Sequence, residues 1–172
     1  MTPQKKNSNE ILHKLNFIDE DENDHVLIAI KSNVPDYKVA YSLNRHLGVK
    51  FKKVMPEISL TETVTAYFRS FIYQDYKNHL VWRFFENRSH YTENDPGEGY
   101  LLFKNDEELF KETHFLIPEW KTIDYFLLIE NADFLFNTES LQEKLHNIKN
   151  ISASFQVDID SLNIKSQKNL IF

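Results

Sequence analysis

The apolar residues of this chain follow strand-like spacing in some segments and helix-like spacing in others. Residues 26–30 form a continuous apolar run, which is typical of a strand that is buried on both faces. A helix is predicted over residues 35–47, because apolar residues recur there at four-residue spacing and Gly48 follows as a left-handed C-cap. A second helix is predicted over residues 138–149, with Thr138 as its N-cap. Its apolar stripe consists of Leu141, Leu145 and Ile148.

Two strands, over residues 65–74 and 79–87, are predicted to pair as an antiparallel hairpin. A three-residue loop over residues 76–78, with Asn78 in the left-handed region, would place Asp75 opposite His79. We prefer this register to that of a two-residue loop because it separates an apolar face from an amphipathic face. The predicted core face consists of Phe68, Ile72, Leu80, Trp82 and Phe84. The predicted amphipathic face consists of Tyr67, Arg69, Phe71, Tyr73, Val81, Arg83 and Phe85.

The segment over residues 114–131 predicts two further strands around a bend. Its second strand is apolar on both faces, which indicates a central position in a sheet and makes Tyr125 a core residue. A last strand is predicted within residues 151–159. Between the two hairpins, a short strand over residues 100–103 and a short helix over residues 105–112 are predicted.

These elements together predict one α+β domain over residues 11–162, flanked by a disordered N-terminal tail (1–10) and a loose C-terminal tail (163–172). The expected architecture is a mainly antiparallel mixed sheet of about five to seven strands, packed by the two main helices. A length of 172 residues fits one such domain.

Composition supports a soluble protein with a β-rich core. Apolar residues make up 41% of the chain and aromatic residues 14%, and rings favour strands and bury large areas. The chain has no cysteine, which excludes disulfides, thiol nucleophiles and iron–sulfur clusters. No apolar segment follows the polar N-terminus as a signal peptide would require, so a cytoplasmic location is expected.

Charge and glycine content exclude several function classes. The net charge of −6, without a dense basic patch, disfavours binding to nucleic acid or to an anionic membrane. The three glycines form neither a phosphate-binding loop nor a dinucleotide fingerprint. The seven histidines form no metal-binding pattern. We therefore expect no cofactor and no metal site.

Paired carboxylates remain the candidate for catalysis. Glu119 and Asp124 flank the bend predicted within residues 114–131, and two acids at a suitable separation can perform acid–base chemistry. The structural interpretation, which we favour, is that each carboxylate accepts hydrogen bonds in the bend or pairs with a base. Arg69 and Arg83 are the predicted basic partners, because a guanidinium binds a carboxylate in bidentate fashion.

The same segment resembles a bacterial family that is defined by the pattern IPExxxVDY. The matching residues are Ile117, Pro118, Glu119, Ile123, Asp124 and Tyr125, with Ile123 in place of the usual valine. The segment over residues 26–37, with Asn44 and Gly48, is also similar to the N-terminal half of that family. The resemblance implies membership of a family to which no activity is assigned, and it transfers no catalytic residue, substrate or cofactor.

Two functions of different classes are compatible with these patterns. The leading hypothesis is a non-enzymatic protein-binding or adaptor module that uses the amphipathic face, because Tyr, Phe and Arg are enriched in interfaces. The binding residues would be Tyr67, Arg69, Phe71, Tyr73, Arg83 and Phe85. The alternative is a small hydrolase or lyase that uses Glu119 and Asp124. The partner and the oligomeric state are left open.

Overall fold

A computed structural model describes residues 25–61, 65–92, 113–132 and 135–172. The strands within these ranges are β1 (Val26–Lys31), β2 (Lys52–Lys53), β3 (Ile58–Thr61), β4 (Thr65–Phe68), β5 (Ser70–Asp75), β6 (Leu80–Glu86), β7 (Tyr91–Thr92), β8 (Tyr125–Glu130) and β9 (Ala153–Val157). The α-helices are α1 (Asp36–Leu47), α2 (Thr138–His146) and α3 (Ile164–Lys168), with 3-10 turns at Pro118–Trp120 and Ile159–Ser161. No helix within these ranges is long and apolar enough to cross a lipid bilayer.

The centre of the fold is a six-stranded antiparallel sheet in the order β2-β5-β6-β8-β1-β9. β8 and β1 are two of its four inner strands, and nearly all of their residues are buried because both faces of the sheet are covered. A smaller sheet has the order β3-β4-β7. These elements confirm the predicted α+β class, the strand over residues 26–30 and the central position of Tyr125.

The two faces of the large sheet carry separate hydrophobic cores. α1 and α2 cover one face, where Val39, Leu43, Leu141 and Leu145 pack against the inward residues of the strands. The other face is covered by β4, the 3-10 turn at Pro118–Trp120 and the C-terminal residues. The helix predicted over residues 35–47 is confirmed as α1, which ends at Gly48 in the left-handed conformation at φ 73°.

The second predicted helix is confirmed as α2, but its N-cap differs. The side chain of Asn137, not that of Thr138, accepts the hydrogen bond from the backbone N–H of Ser140. The apolar stripe on α2 is buried as predicted, and Ile148 beyond the helix joins the same core. The predicted strand within residues 151–159 is confirmed as β9, which pairs with β1.

The predicted register of the hairpin is wrong by one residue. Asp75 pairs with Leu80 instead of His79, and the turn has four residues, with His79 rather than Asn78 in the left-handed region at φ 58°. The Asp75 carboxylate explains the longer turn, since it accepts hydrogen bonds from the backbone N–H groups of Lys77 and Asn78. A slip of one residue changes which side chains share a face.

The predicted single face over residues 65–74 is also wrong because this segment divides between the two sheets. β4 joins the small sheet and β5 joins the large one, with Arg69 at the junction. Within β5 and β6, Tyr73 now lies opposite Trp82 and Phe71 opposite Phe84. The odd residues of β5 therefore join the even residues of β6 in the core under the helices.

Two further predictions need correction. Only the second half of residues 114–131 is a strand, β8, whereas the first half makes a single bridge from Phe115 to Arg88 and then enters the 3-10 turn. The C-terminal tail over residues 163–172 is not loose: it contains α3, buries Leu170 and places the Phe172 ring 5.3 Å from the Phe85 ring. The elements predicted over residues 100–103 and 105–112, and the N-terminal tail, lie outside the described residues.

Candidate functional site

The six predicted binding residues do not form one surface. Phe71 and Tyr73 pack in the core under the helices, whereas Phe85 is fully buried in the core on the opposite face. Arg83 lies on the same side of β6 as Phe85, where its Nε is 2.5 Å from an oxygen of Glu130 and its guanidinium lies over the Phe172 ring. The predicted shared face is therefore wrong, because the hairpin register places its members on both sides of the sheet.

The two signature carboxylates bind different parts of the molecule. Glu119 accepts hydrogen bonds from the Ser166 hydroxyl at 2.6 Å and from the Asn163 backbone N–H at 2.8 Å, at the start of α3. Asp124 accepts a hydrogen bond from the Ser32 backbone N–H at 3.0 Å and forms an ion pair with Lys31 at 3.1 Å, at the end of β1. They share no partner among the described residues, and neither Arg69 nor Arg83 pairs with them as predicted.

Burial and hydrogen bonding have opposite effects on the pKa of Glu119. Desolvation is the largest single contribution and raises the pKa, but the hydrogen bonds from Ser166 and Asn163 together outweigh it, so the net pKa is lowered. Glu119 is therefore a stable carboxylate that fixes the start of α3. A general acid would require the opposite shift.

Asn87, at the end of β6, organises the turn that contains the signature residues. Its fully buried side chain donates to the carbonyls of Trp120 at 2.8 Å and Ile123 at 3.1 Å, and accepts from the N–H of Ile117 at 2.9 Å. Its backbone N–H donates to the Asp124 carbonyl, and its carbonyl accepts from Leu116. One buried amide thus binds the turn from both ends.

The remaining signature residues also have structural roles. Ile117 and Ile123 are buried in the core beneath the large sheet. The Tyr125 hydroxyl donates a hydrogen bond of 2.8 Å to the Val34 carbonyl just before α1, and burial is the main cause of the raised pKa of this phenol. The signature segment therefore connects β1, β6, α3 and the approach to α1.

A polar cluster lies where the small sheet meets the large one. It consists of Asp36, Glu57, Arg69, Glu86 and His90. His90 lies between two carboxylates, with Nε2 2.9 Å from Glu57 and Nδ1 3.3 Å from Glu86, although the second contact lacks hydrogen-bond geometry. The Arg69 guanidinium lies 3.6 Å from Asp36 and 3.8 Å from Glu86, and the Arg69 backbone N–H donates to Glu86 at 3.0 Å.

Burial changes the protonation of this cluster. Desolvation raises the pKa of Glu86 to about 7, against the opposing hydrogen bond from Arg69, and the nearby Asp36 and Glu57 carboxylates raise it further. Desolvation also lowers the pKa of His90, which the Glu57 carboxylate opposes. Glu86 and His90 are thus chemically better suited to proton transfer than the predicted pair, yet their polar atoms face other members of the cluster. Across the described ranges, no group of three His, Asp or Glu side chains is arranged to hold a metal ion.

A cavity of about 540 Å³ opens between the end of α1, the β5–β6 hairpin and the start of α2. We call it the aromatic groove because Tyr73, Trp82 and Phe136 line it, together with Leu80, Leu135 and Leu141. Trp82 meets the Phe136 ring edge-on at 5.8 Å between centroids. Leu135, at the rim of the groove, is 73% exposed. Polar side chains, among them Asp75, Asn131 and Lys144, complete the lining. A concavity of this size falls within the range of ligand-binding pockets.

The indole nitrogen of Trp82 is buried, although the side chain borders the aromatic groove. The residue is only 8% exposed, and its indole N–H has no hydrogen-bond acceptor within the described part of the chain. The face of the neighbouring Phe136 ring is at best a weak acceptor. Buried indole N–H groups normally have a partner, so this donor is an exception among the described residues.

Sequence patterns did not identify the aromatic groove. Trp82 was assigned correctly to the core, and Tyr73 was assigned to the predicted binding face, but the one-residue error in register separated them. Leu135 and Phe136 were not selected, although two large apolar residues directly before the N-cap of a helix are a local signal for packing at the helix start.

No family model, curated protein or solved structure matched this chain. Membership of the IPExxxVDY family therefore stays a prediction, and the site is interpreted from its own geometry.

Proposed function

We propose that this protein is a non-enzymatic protein-binding or adaptor module, and that its binding surface is the aromatic groove rather than the predicted face. The observation that carries the proposal is the groove itself, a concavity of about 540 Å³ in which Tyr73, Trp82 and Phe136 lie beside polar side chains. Aromatic residues in desolvated concave sites dominate the binding free energy of protein interfaces. An exposed Leu135 at the rim extends the apolar surface that a partner would cover.

The predicted alternative, a hydrolase or lyase that uses Glu119 and Asp124, has weaker support. A shared active site would require the two carboxylates to act on one substrate atom or one water molecule. Instead, each accepts hydrogen bonds from a different structural element, and neither lines the aromatic groove. We retain the family resemblance as part of the proposal, with its signature in a structural role.

Selection from a library of random 12-residue peptides tests the proposed site. The chain contains two tryptophans, so Trp120→Phe leaves Trp82 as the single reporter of the groove. We expect selected peptides to change Trp82 fluorescence and to bind Leu135→Ser at least several-fold more weakly. Ile164→Ser is the matched control, because Ile164 is similarly exposed at 71% but lies on α3, outside the groove.

Two results would contradict the proposal. One is that no peptide is enriched above the level found with Leu135→Ser. The other is that enriched peptides bind wild type, Leu135→Ser and Ile164→Ser equally, because their site would then lie elsewhere on the molecule.

A further inference from the structure

The exposed side of α1 is built from large rings and cations. Tyr37 and Tyr41 are 59% and 66% exposed, and Arg45 continues the same line along the helix at four-residue spacing. Lys38 lies beside this line and is also exposed. We call these four residues the outer face of α1. The one carboxylate of the helix, that of Asp36, is buried, so the outer face carries no negative charge.

The exposed side of α2 has the composition of an ordinary solvated helix. Its charges are of both signs, with Glu139 and Glu143 beside Lys144, and no tyrosine, phenylalanine or tryptophan is among its residues. Solvation of a helix therefore does not require the two exposed tyrosines of α1. Tyr and Arg are the residue types that are enriched in protein interfaces and in their binding hot spots.

The segment that contains α1 is basic within an acidic protein. Residues 37–56 carry five cations and no carboxylate, so the rest of the chain carries −11 against a total net charge of −6. Lys53 forms an ion pair with Glu57 at 3.1 Å. The other four cations form no ion pair with any residue that the structure describes: Lys38, Arg45, Lys50 and Lys52.

The fold brings two of these lysines to the end of α1. The Asn44 side chain accepts a hydrogen bond from the backbone N–H of Phe51 at 2.7 Å, which holds residues 50–52 against the last turn of the helix. Lys50 and Lys52 flank the buried Phe51 and are themselves exposed. They therefore extend the positive charge of the outer face beyond the turn that carries Arg45.

We propose that the outer face of α1 is a second docking surface, and that its partner is an acidic amphipathic helix of another protein. The sign of the partner follows from the four cations, whose attraction for carboxylates acts within the Debye length of about 8 Å at physiological ionic strength. Its form follows from the spacing, because residues at i, i+4 and i+8 make a ridge that packs into the groove between such ridges on a second helix. None of the face residues lines the aromatic groove, so the two surfaces are independent.

A nucleic acid fits this surface less well than an acidic helix does. α1 is 12 residues long, which corresponds to about 18 Å. A nucleic acid carries negative charge along its whole length, so beyond that distance its phosphates meet the rest of a chain that carries −11 outside residues 37–56. An amphipathic helix can confine its carboxylates to the side that faces Lys38 and Arg45.

Three sets of alanine-based helical peptides, each 18 residues long, test the proposal. Every set randomises three positions at four-residue spacing among Leu, Ile, Phe, Tyr and Trp, and the flanking positions are Glu in the first set, Gln in the second and Lys in the third. Each peptide carries a fluorophore, and binding to the full chain is measured by fluorescence anisotropy. We expect the Glu set to bind about tenfold more tightly than the Gln set, as for several exposed ion pairs acting together, and the Lys set to bind most weakly.

Substitutions on the outer face have matched controls elsewhere. Arg45→Glu should weaken binding of the Glu set about tenfold, whereas Lys149→Glu makes the same kind of charge reversal at an exposed position outside the face and should change it less than about twofold. Tyr41→Ser should weaken binding of every set several-fold, because it removes a ring from the contact. Tyr76→Ser removes a tyrosine that is 80% exposed in the β5–β6 turn and should have no effect.

The outcomes distinguish the possible occupants. Equal binding of the Glu and Gln sets, equal effects of Arg45→Glu and Lys149→Glu, or no binding by any set overturns the proposal. A labelled oligothymidylate that binds more tightly than the Glu set, and depends on Arg45, overturns it in favour of nucleic acid. A dimer in sedimentation equilibrium that Arg45→Glu dissociates makes a second copy the occupant. Peptides that depend on Leu135 but not on Arg45 overturn it as well, and they support the proposed function at the aromatic groove.

Discussion

The turn over residues 117–125, which we call the signature turn, and the aromatic groove differ in whether their polar groups are hydrogen-bonded within the described chain. In the turn, the Asn87 amide, the Glu119 carboxylate and the Asp124 carboxylate each accept or donate hydrogen bonds within the chain. In the groove, the indole N–H of Trp82 lacks an acceptor and Lys144 lacks a counterion among the described residues. Contacts within the chain satisfy the first set of groups, whereas the second set has no partner among the described residues.

This contrast shows why the most recognisable segment of the sequence is not the best guide to function. A turn that joins β8 to β6, β1 and α3 needs particular residues at particular positions, and those needs are met by the fold itself. A binding site must leave capacity unused in the free protein. Under the proposed function, groups that the described residues leave unpaired are therefore better candidates for binding than the motif is.

The largest expected effect comes from a substitution at Asn87, which holds the signature turn. Asn87→Ala removes three side-chain hydrogen bonds and leaves the Ile117 N–H and the Ile123 carbonyl unpaired, while the Trp120 carbonyl keeps its bond from the Ile123 N–H. We expect a loss of about 3–5 kcal/mol in the free energy of unfolding, measured by urea denaturation. Asn147→Ala is the control, because the exposed Asn147 makes one side-chain bond at the end of α2, and its loss should cost about 0.5 kcal/mol. Equal losses for the two variants would contradict the role assigned to Asn87.

The polar cluster is intermediate between the signature turn and the aromatic groove, because its groups are paired but the Glu86 carboxylate is poorly solvated. The pKa of Glu86 is about 7 when folded, against an ordinary value of 4.5. Below pH 4.5 the carboxyl is neutral in both states. Between pH 4.5 and 7 the unfolded chain loses this proton while the folded protein keeps it, so stability falls as pH rises and becomes level above 7.

Glu86→Gln tests this dependence, because glutamine keeps the neutral state at every pH. The wild type should lose up to about 3 kcal/mol of stability relative to Glu86→Gln between pH 4.5 and 7.5, at ~1.4 kcal/mol per pKa unit. The lowered pKa of His90 has the opposite effect on the pH dependence of stability, at pH values below the ordinary pKa of histidine. The measured quantity is therefore the difference in unfolding free energy between wild type and variant at each pH, not the pH slope of one protein. Glu143→Gln, on the exposed side of α2, serves as the control. Parallel pH profiles for all three proteins would refute the raised pKa.

A third prediction asks whether the two signature carboxylates act together. Because Glu119 and Asp124 contact different elements, the losses in unfolding free energy from Glu119→Gln and Asp124→Asn should add within about 0.5 kcal/mol in the double variant. Each single loss should be about 1 kcal/mol. Urea denaturation of the four proteins completes the cycle. A coupling well above 1 kcal/mol would place the carboxylates in one site and restore the enzymatic hypothesis.

The sequence predicted the parts of the fold whose signal is local. β1, α1 and β8 were predicted because a continuous apolar run, a four-residue apolar spacing and a left-handed Gly48 are each visible within a few residues. The packing of α3 was not predictable in this way. Its start is held by Glu119, whose partner Asn163 lies 44 residues away in the sequence.

The aromatic groove was missed for a related reason. It forms from three segments that are distant in the sequence, and the correct hairpin register is needed to bring Tyr73 beside Trp82. That register depends on which residue of a four-residue turn adopts a left-handed conformation, and alternation along the strands does not determine it. Whether the Trp82 N–H has an acceptor is a property of the assembled core, which the linear pattern does not contain.

The smallest expected effect belongs to the groove. Trp82→Phe removes a buried donor that lacks an acceptor, and this removal favours the folded state, while the smaller ring loses packing. Because the two contributions oppose one another, we expect the free energy of unfolding to change by less than about 1 kcal/mol. A loss above about 3 kcal/mol would mean that the indole N–H already has a strong acceptor in the free protein. In that case the groove would resemble the signature turn, and the contrast between the two regions would no longer identify a binding site.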